Sequence, residues 1–220
     1  IDEAIVKRVK KTELKGIEEN YEKVDEIPFD FSRRRLSVVV SDGKKRQLIT
    51  KGAVEEILSI CTMVDYKGEV SDITKEIKQN ILSITKELNK QGLRVVAVAQ
   101  KNDITNVKDF SVKDESKMVL MGFIGFLDPP KESAKETIER LHKNGIRVIV
   151  LTGDNEYVTK AVCDKVAINT KQIGLGSQID QLSDQALKKL LKKTNVFAKL
   201  SPIQKARIVR VLAENNVVGY

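Results

Sequence analysis

Residues 145–161 read GIRVIVLTGDNEYVTKA, and this stretch decides the fold. Val148, Ile149, Val150 and Leu151 form a short apolar run, rich in β-branched residues, as a strand buried on both faces requires. Thr152-Gly153-Asp154 breaks the run, and Val158, Ala161 and Val162 then recur at helical spacing. A strand that stops at such a turn and feeds a helix is the carboxyl edge of a parallel sheet, where α/β proteins bind ligands. Gly153 admits a ligand close to the backbone, and the helix start offers unbonded N–H groups to an anion. The same residues also make an ordinary βα turn, and a three-residue motif alone leaves both readings open.

Outward from this loop, the second half alternates. Helices are expected over 132–143, 155–166, 183–193 and 202–214, and strands over 147–151, 195–198 and 217–220, with a Gly-rich loop at 173–177. That is a doubly wound parallel sheet covered on both faces. Pro129-Pro130, after Asp128, bars a helix through that point and puts a domain boundary near 127.

The first half reads differently. A helix over 1–15 should end at Gly16. EIPFDF at 26–31 is extended, and strands 36–40 and 46–51 make a hairpin around Ser41-Asp42-Gly43. A short helix over 53–60 precedes strands 62–66 and 69–70. Ile73, Ile77, Ile81, Ile84 and Leu88 form one stripe of a helix over 72–90, capped by Ser71 or Asp72 and stopped by Gly92. Strands at 94–99 and 118–126 flank a polar loop, 101–117. The expected class is α/β: a mixed or antiparallel α+β domain over 1–127, then the parallel-sheet domain over 128–220.

Composition narrows the chemistry. The chain has 220 residues, 41% hydrophobic and 32% charged, enough for one large or two small globular domains. It holds no run of 18 apolar residues and no signal peptide. It starts without Met inside a helical pattern and stops inside an apolar run, so both ends read as cuts in a longer chain. Cys61 and Cys163 fit no metal or redox spacing and read as buried thiols in a reducing compartment. His142 reads as solvated. Net charge is +8, and residues 31–51 hold seven basic side chains, Arg33, Arg34, Arg35, Lys44, Lys45, Arg46 and Lys51, against Asp42 alone. That patch is either an anion site or the solvated edge of a hairpin. A pI near 9.3 suggests nucleic acid, but no nucleic-acid motif is present and aromatics for stacking are few.

FDFSRRRLSVVV (29–40), KGAVEEIL (51–58), QGLRVVAVA (91–99), GFLDPPKESAKETIERL (125–141), VIVLTGD (148–154) and FAKLSPIQKARIV (197–209) follow one another in this order. Together they resemble the cytoplasmic ATP-handling part of P-type cation-transporting ATPases, nearest the bacterial magnesium-transporting branch. The resemblance implies a nucleotide-binding domain followed by part of a haloacid-dehalogenase-like phosphorylation domain. By the same resemblance Phe31 stacks on adenine, Asp2 lies near it, and Lys51 lines the pocket with Gly52 leaving room. It places Arg33 and Arg94 near phosphates and ribose, where guanidinium forks suit anionic oxygens. Many members have a lysine where this chain has Leu36. As residue types alone, Phe31 is a core residue and Arg33–Arg35 are solvated charges. Thr152 and Asp154 match the loop that holds the transferred phosphoryl group, Lys205 the lysine that neutralises it, and Asp128 a hinge.

The family's DKTGT nucleophile motif and its Mg²⁺-binding GDGxND motif do not occur in the sequence. Without the aspartate no aspartyl-phosphate forms. The resemblance therefore implies a soluble piece of a bacterial ATP-driven cation pump, from the cytoplasmic face of the membrane. It should bind ATP without turning it over. Mg²⁺, the actuator domain and the membrane helices belong to the parent protein. Two rivals stand beside it. A soluble haloacid-dehalogenase-type phosphatase would need a DxD motif ahead of the TGD loop, and a basic nucleic-acid-binding module would need the charge to be its footprint. The missing nucleophile strand should leave the second sheet with an open slot, inviting self-association.

Overall fold

The computed structural model describes residues 2–9, 11–102, 104, 110–214 and 218–219, without the side chains of Asp2, Ala4 and 11–14. Of the strand expected over 217–220, residues 217 and 220 lie outside the described residues, and 218–219 are not in a strand. The chain divides into two compact units, Ile1–Thr85 with Val95–Phe126, and Lys86–Arg94 with Leu127–Tyr220.

The first unit opens with helices α1 (Asp2–Arg8) and α2 (Lys11–Asn20). Gly16 lies inside α2 rather than ending a helix. Seven strands follow: β1 (Glu22–Asp30), β2 (Arg35–Ser41), β3 (Arg46–Ala53), β4 (Cys61–Tyr66), β5 (Glu69–Asp72), β6 (Leu93–Lys101) and β7 (Met118–Leu127). They form one sheet in the order β1-β2-β3-β6-β7-β4-β5. The pairs β1–β2, β2–β3, β3–β6 and β4–β5 are antiparallel, and β4–β7 is parallel. Helix α3 (Val54–Ile60) joins β3 to β4. Helix α4 (Lys75–Lys90) starts later than its sequence suggests, because Ser71 and Asp72 are held in β5. Thr74 caps it instead, its Oγ1 accepting the Ile77 N–H at 3.1 Å.

One face of the sheet carries Val39, Leu48, Ala97 and Ala99 into a core with Ile57 and Leu58 of α3. Alternation should then leave the other face polar. It does not: Leu36, Val38, Ile49, Val96 and Val98 occupy it, all half-buried. Strand β7 serves both faces. Met118 and Leu120 enter the core, whereas Ile124 and Phe126 share the opposite face despite the same parity. Gly122 stands between them at φ 152°, a backbone state glycine reaches most readily, and there the strand switches sides.

In the second unit the strands are β8 (Val150–Leu151), β9 (Ile173–Leu175) and β10 (Val196–Ala198), and the helices are α5 (Ala134–Lys143), α6 (Glu156–Lys165), α7 (Gly176–Ile179), α8 (Asp184–Lys193) and α9 (Pro202–Ala213). The sheet is parallel, in the order β8-β10-β9. The expected strand over 147–151 shortens to two residues, and the expected Gly-rich loop becomes β9 and α7. Apolar runs follow from two buried faces: Phe197 packs with Leu187, Leu191 and Ile208, while Val196 packs with Cys163 and Val166 on the other side. Cys61 and Cys163 are free and buried, and burial pushes each thiol up to about 11.

Candidate functional site

The apolar outer face of the first sheet encloses a cleft of about 210 Å³, lined by Ile5, Leu36, Val38, Ile49, Lys51, Val96, Val98, Ile124 and Phe126. Strand register puts these side chains together. Leu36 pairs with Lys51 and Val38 with Ile49 across β2–β3, and Lys51 pairs with Val98 across β3–β6. Lys51 is the single charged residue among nine. An apolar slot with one ammonium group fits a planar heteroaromatic ring attached to an anion.

The other residues matched to a nucleotide are placed around the sheet. Phe31 is not among the residues lining the cleft. It is 66% exposed, in the turn between β1 and β2, with its ring edge-on to Phe29 at 5.2 Å. Asp30 builds that turn: its Oδ1 accepts the N–H of Ser32 and of Arg33 at 2.7 and 2.9 Å, and the Ser32 hydroxyl as well. The Ser32 hydroxyl, then the Arg33 and Ser32 N–H groups, hold the Asp30 carboxyl below its usual range. Gly52 faces Arg35 across the β2–β3 ladder, and a Cβ there would lie 2.5 Å from the Arg35 Cβ and 2.6 Å from the Arg34 carbonyl. The room it leaves in this structure is occupied by the neighbouring strand. Asp2 opens α1, but its side chain lies outside the described residues.

Arg33 is engaged inside the fold. Its Nη1 donates to both carboxylate oxygens of Glu115 at 2.7 Å, and its Nη2 donates to the Pro28 carbonyl at 2.9 Å. Arg35 Nε and Ser37 Oγ donate to the same carboxylate at 2.7 Å, and Ser37 Oγ lies 2.7 Å from Thr50 Oγ1. The Glu115 side chain is fully buried. Burial pushes its carboxyl up, but hydrogen bonds from Ser37, Arg35 and Arg33 outweigh that and hold it below its usual range. The sequence reading placed Glu115 in a polar loop and missed it. The available signal was the alternation Arg33-x-Arg35-x-Ser37, which turns three donors to one side and demands an acceptor.

In the second unit the Thr-Gly-Asp loop is held from several sides. Thr152 Oγ1 donates to Asp154 Oδ2 and accepts the Asp154 N–H, both at 3.1 Å. The backbone of the loop bonds the end of β10: Thr152 N–H to the Phe197 carbonyl at 3.0 Å, Leu200 N–H to the Thr152 carbonyl at 3.0 Å, and Lys199 N–H to the Asp154 carbonyl at 2.7 Å. Asn155 caps α6 through the Tyr157 and Val158 N–H groups. The segment after β10 starts α9, where Ser201 and Gln204 form a capping box. Lys205 stands in the first turn of α9, half-buried. Thr152, Asp154 and the start of α9 thus share one carboxyl edge, as adjacent parallel strands require.

Arg94 and Asp128 join that edge. Arg94 Nη2 donates to Asp154 Oδ2 at 2.7 Å, and its Nη1 lies 3.0 Å from Asp128 Oδ2. The two carboxylates converge on a guanidinium. Among the described residues no group of three or more His, Cys, Asp or Glu side chains is placed to hold a metal ion. Among them too, no helix is long and apolar enough to cross a membrane.

A family profile described as P-type ATPase, cytoplasmic domain N, matches residues 1–133. The "Magnesium-transporting ATPase, P-type 1" of Salmonella typhimurium strain 14028s is 43% identical over the whole of this chain and 25% of its own length. The protein of the same name from Escherichia coli K12 is 41% identical over the same shares. "Calcium-transporting ATPase 1" of Bacillus cereus is 30% identical over 92% of this chain and 23% of its own length. The chain spans about a quarter of the length of the curated relatives it matches. The match over residues 1–133 settles the family: the chain belongs to the P-type ATPases, and its first part is their cytoplasmic domain N.

Proposed function

We propose that this chain is the ATP-binding piece of a magnesium-transporting P-type pump, with residues 1–127 as nucleotide-binding domain and 128–220 as part of its phosphorylation domain. The observation that carries the reading is the second apolar face of the first sheet, with Lys51 set among apolar side chains. The base lies in that slot, against Leu36, Val38 and Val98. Lys51 meets an anionic oxygen of the nucleotide, and Phe31, presented on the turn that Asp30 holds, covers the base. In the whole pump Thr152, Asp154 and Lys205 hold the transferred phosphoryl group, and Mg²⁺ is held by residues this chain does not supply. The identity with two magnesium-transporting ATPases supports the choice of ion.

Calorimetric titration with ATP tests the reading. Lys51→Ala and Phe31→Ala should each weaken binding by ~1–3 kcal/mol, the usual loss for a charge-assisted contact or a stacked base. ATP affinity unchanged in both variants would remove the cleft from nucleotide binding.

A further inference from the structure

The second unit has a cleft of its own at the opposite edge of its sheet. It holds about 350 Å³ between α8 and α9 and is lined by Arg147, Lys188, Lys189 and Lys192 over a floor of Leu191, Val211 and Leu212. Arg147 precedes β8, and its guanidinium is fixed there. It donates to the carbonyls of Leu191 and Thr194 at 2.5 and 3.1 Å and to Asn195 Oδ1 at 2.6 Å. All three acceptors are neutral, so these bonds fix its geometry without cancelling its charge. Among the described residues one acid pairs with these lysines: Glu214, with Lys188. Asp184, the acid of α8 itself, is a turn away and pairs with Arg207 and Arg210. Lys189 and Lys192 make no ion pair among the described residues, and both are exposed.

This arrangement costs helix stability. Lys188 and Lys192 are four residues apart and Lys189 and Lys192 three apart, and like charges at these spacings repel. The negative end of the helix dipole offsets this for Lys192, in the last turn. It does less for Lys188 and Lys189, a turn earlier. A concave, low-dielectric wall focuses the resulting field on whatever enters the cleft. The enclosed volume is on the scale of a small molecule rather than of a flat protein contact.

We propose that this cleft binds a small soluble phosphate-bearing anion of several charges, a polyphosphate or organic phosphate, at a site separate from the nucleotide cleft. Arg147, whose Nε also donates to Asn195 Oδ1 at 2.8 Å, supplies a fixed positive charge and the Nη1 group that these bonds leave aside; Lys189 and Lys192 close on the phosphate oxygens, and the aliphatic floor takes the uncharged part of the ligand.

Tripolyphosphate, titrated calorimetrically into the 220-residue chain, is the probe, with amide NMR shifts to locate it. The expected result is saturable binding of one equivalent, with shifts at 188–192 and 211–212. Affinity should fall about tenfold or more in Lys189→Gln/Lys192→Gln, since two charge-assisted contacts go. Both side chains are exposed, so unchanged circular dichroism should accompany the loss. Lys51→Ala should bind tripolyphosphate as the parent chain does, which separates this site from the nucleotide cleft. No saturable binding, equal affinity in the double variant, loss in Lys51→Ala, or capture only by phosphatidylglycerol vesicles and not by tripolyphosphate would each overturn the proposal.

Discussion

Glu115 shows how much one side chain can govern. Two arginines and a serine converge on a carboxylate with no exposure, and removing the charge strands Arg33 and Arg35, whose side chains are 17% and 11% exposed. Breaking a buried pair of this kind costs ~3–5 kcal/mol. Glu115→Gln should therefore lower the stability of the first unit by about 3 kcal/mol at pH 7, read by urea unfolding. Because the folded carboxyl is held below its usual value, its contribution is complete above about pH 4.3, the ordinary glutamate value, and is lost as pH falls through the folded value. The gap between wild type and variant should narrow at pH 3. Equal unfolding midpoints at pH 7 would show that the arginines find other partners.

At the scale of the element, β2 and β3 approach closely because Gly52 has no side chain. A Cβ would sit 2.5 Å from the Arg35 Cβ and 2.9 Å from its Cα, and backbone does not yield as a flexible side chain does. Overpacking of this sort costs ~1–3 kcal/mol. Gly52→Ala should lower the thermal midpoint by several degrees, with ATP affinity falling only as the strands part. A variant with unchanged melting but lost ATP binding would show instead that Gly52 makes room for the ligand. The same strand pair explains why the Arg-rich run is not free surface charge: Arg33 and Arg35 alternate on β2 and its entering turn, and register turns both toward Glu115.

For the whole molecule the second sheet is decisive. Strand β8 pairs with β10 alone, and among the described residues its other edge has no partner. Val150 donates its N–H to the Asn195 carbonyl just before β10 and Thr152 to the Phe197 carbonyl within it, whereas the Leu151 N–H points the other way. Hydrogen exchange should accordingly be slow at 150 and 152 and fast at 151. The β6 amides, in a strand flanked by β3 and β7, should be protected. Slow exchange at Leu151 that persists at high dilution would show that the edge is closed within one chain; slow exchange that appears with concentration would show pairing between copies. Catalysis tests the molecule at the same scale. With no DKTGT aspartate in the sequence, a phosphate-release assay with ATP and Mg²⁺ should find no turnover. Turnover abolished by Lys205→Ala would overturn that expectation.

Local sequence by itself determined much of this protein. Apolar runs, with an Asp-Gly turn between the first pair, marked strands of the first sheet, because tight-turn sterics act over a few residues. The alternation after Pro130 defined the parallel unit, and six ordered motifs identified the family. What only the tertiary structure decided depends on contacts between distant residues. Glu115 acts through side chains about eighty positions away. The apolar outer face exists because register aligns residues of four strands, and Gly122 is needed to turn β7 onto it. Gly52 looked like pocket space until the opposite strand filled it. Helix starts slipped for a related reason: Ser71 and Asp72 are good caps by type, but the β4–β5 ladder claims their backbones first, and Thr74 caps the helix in their place.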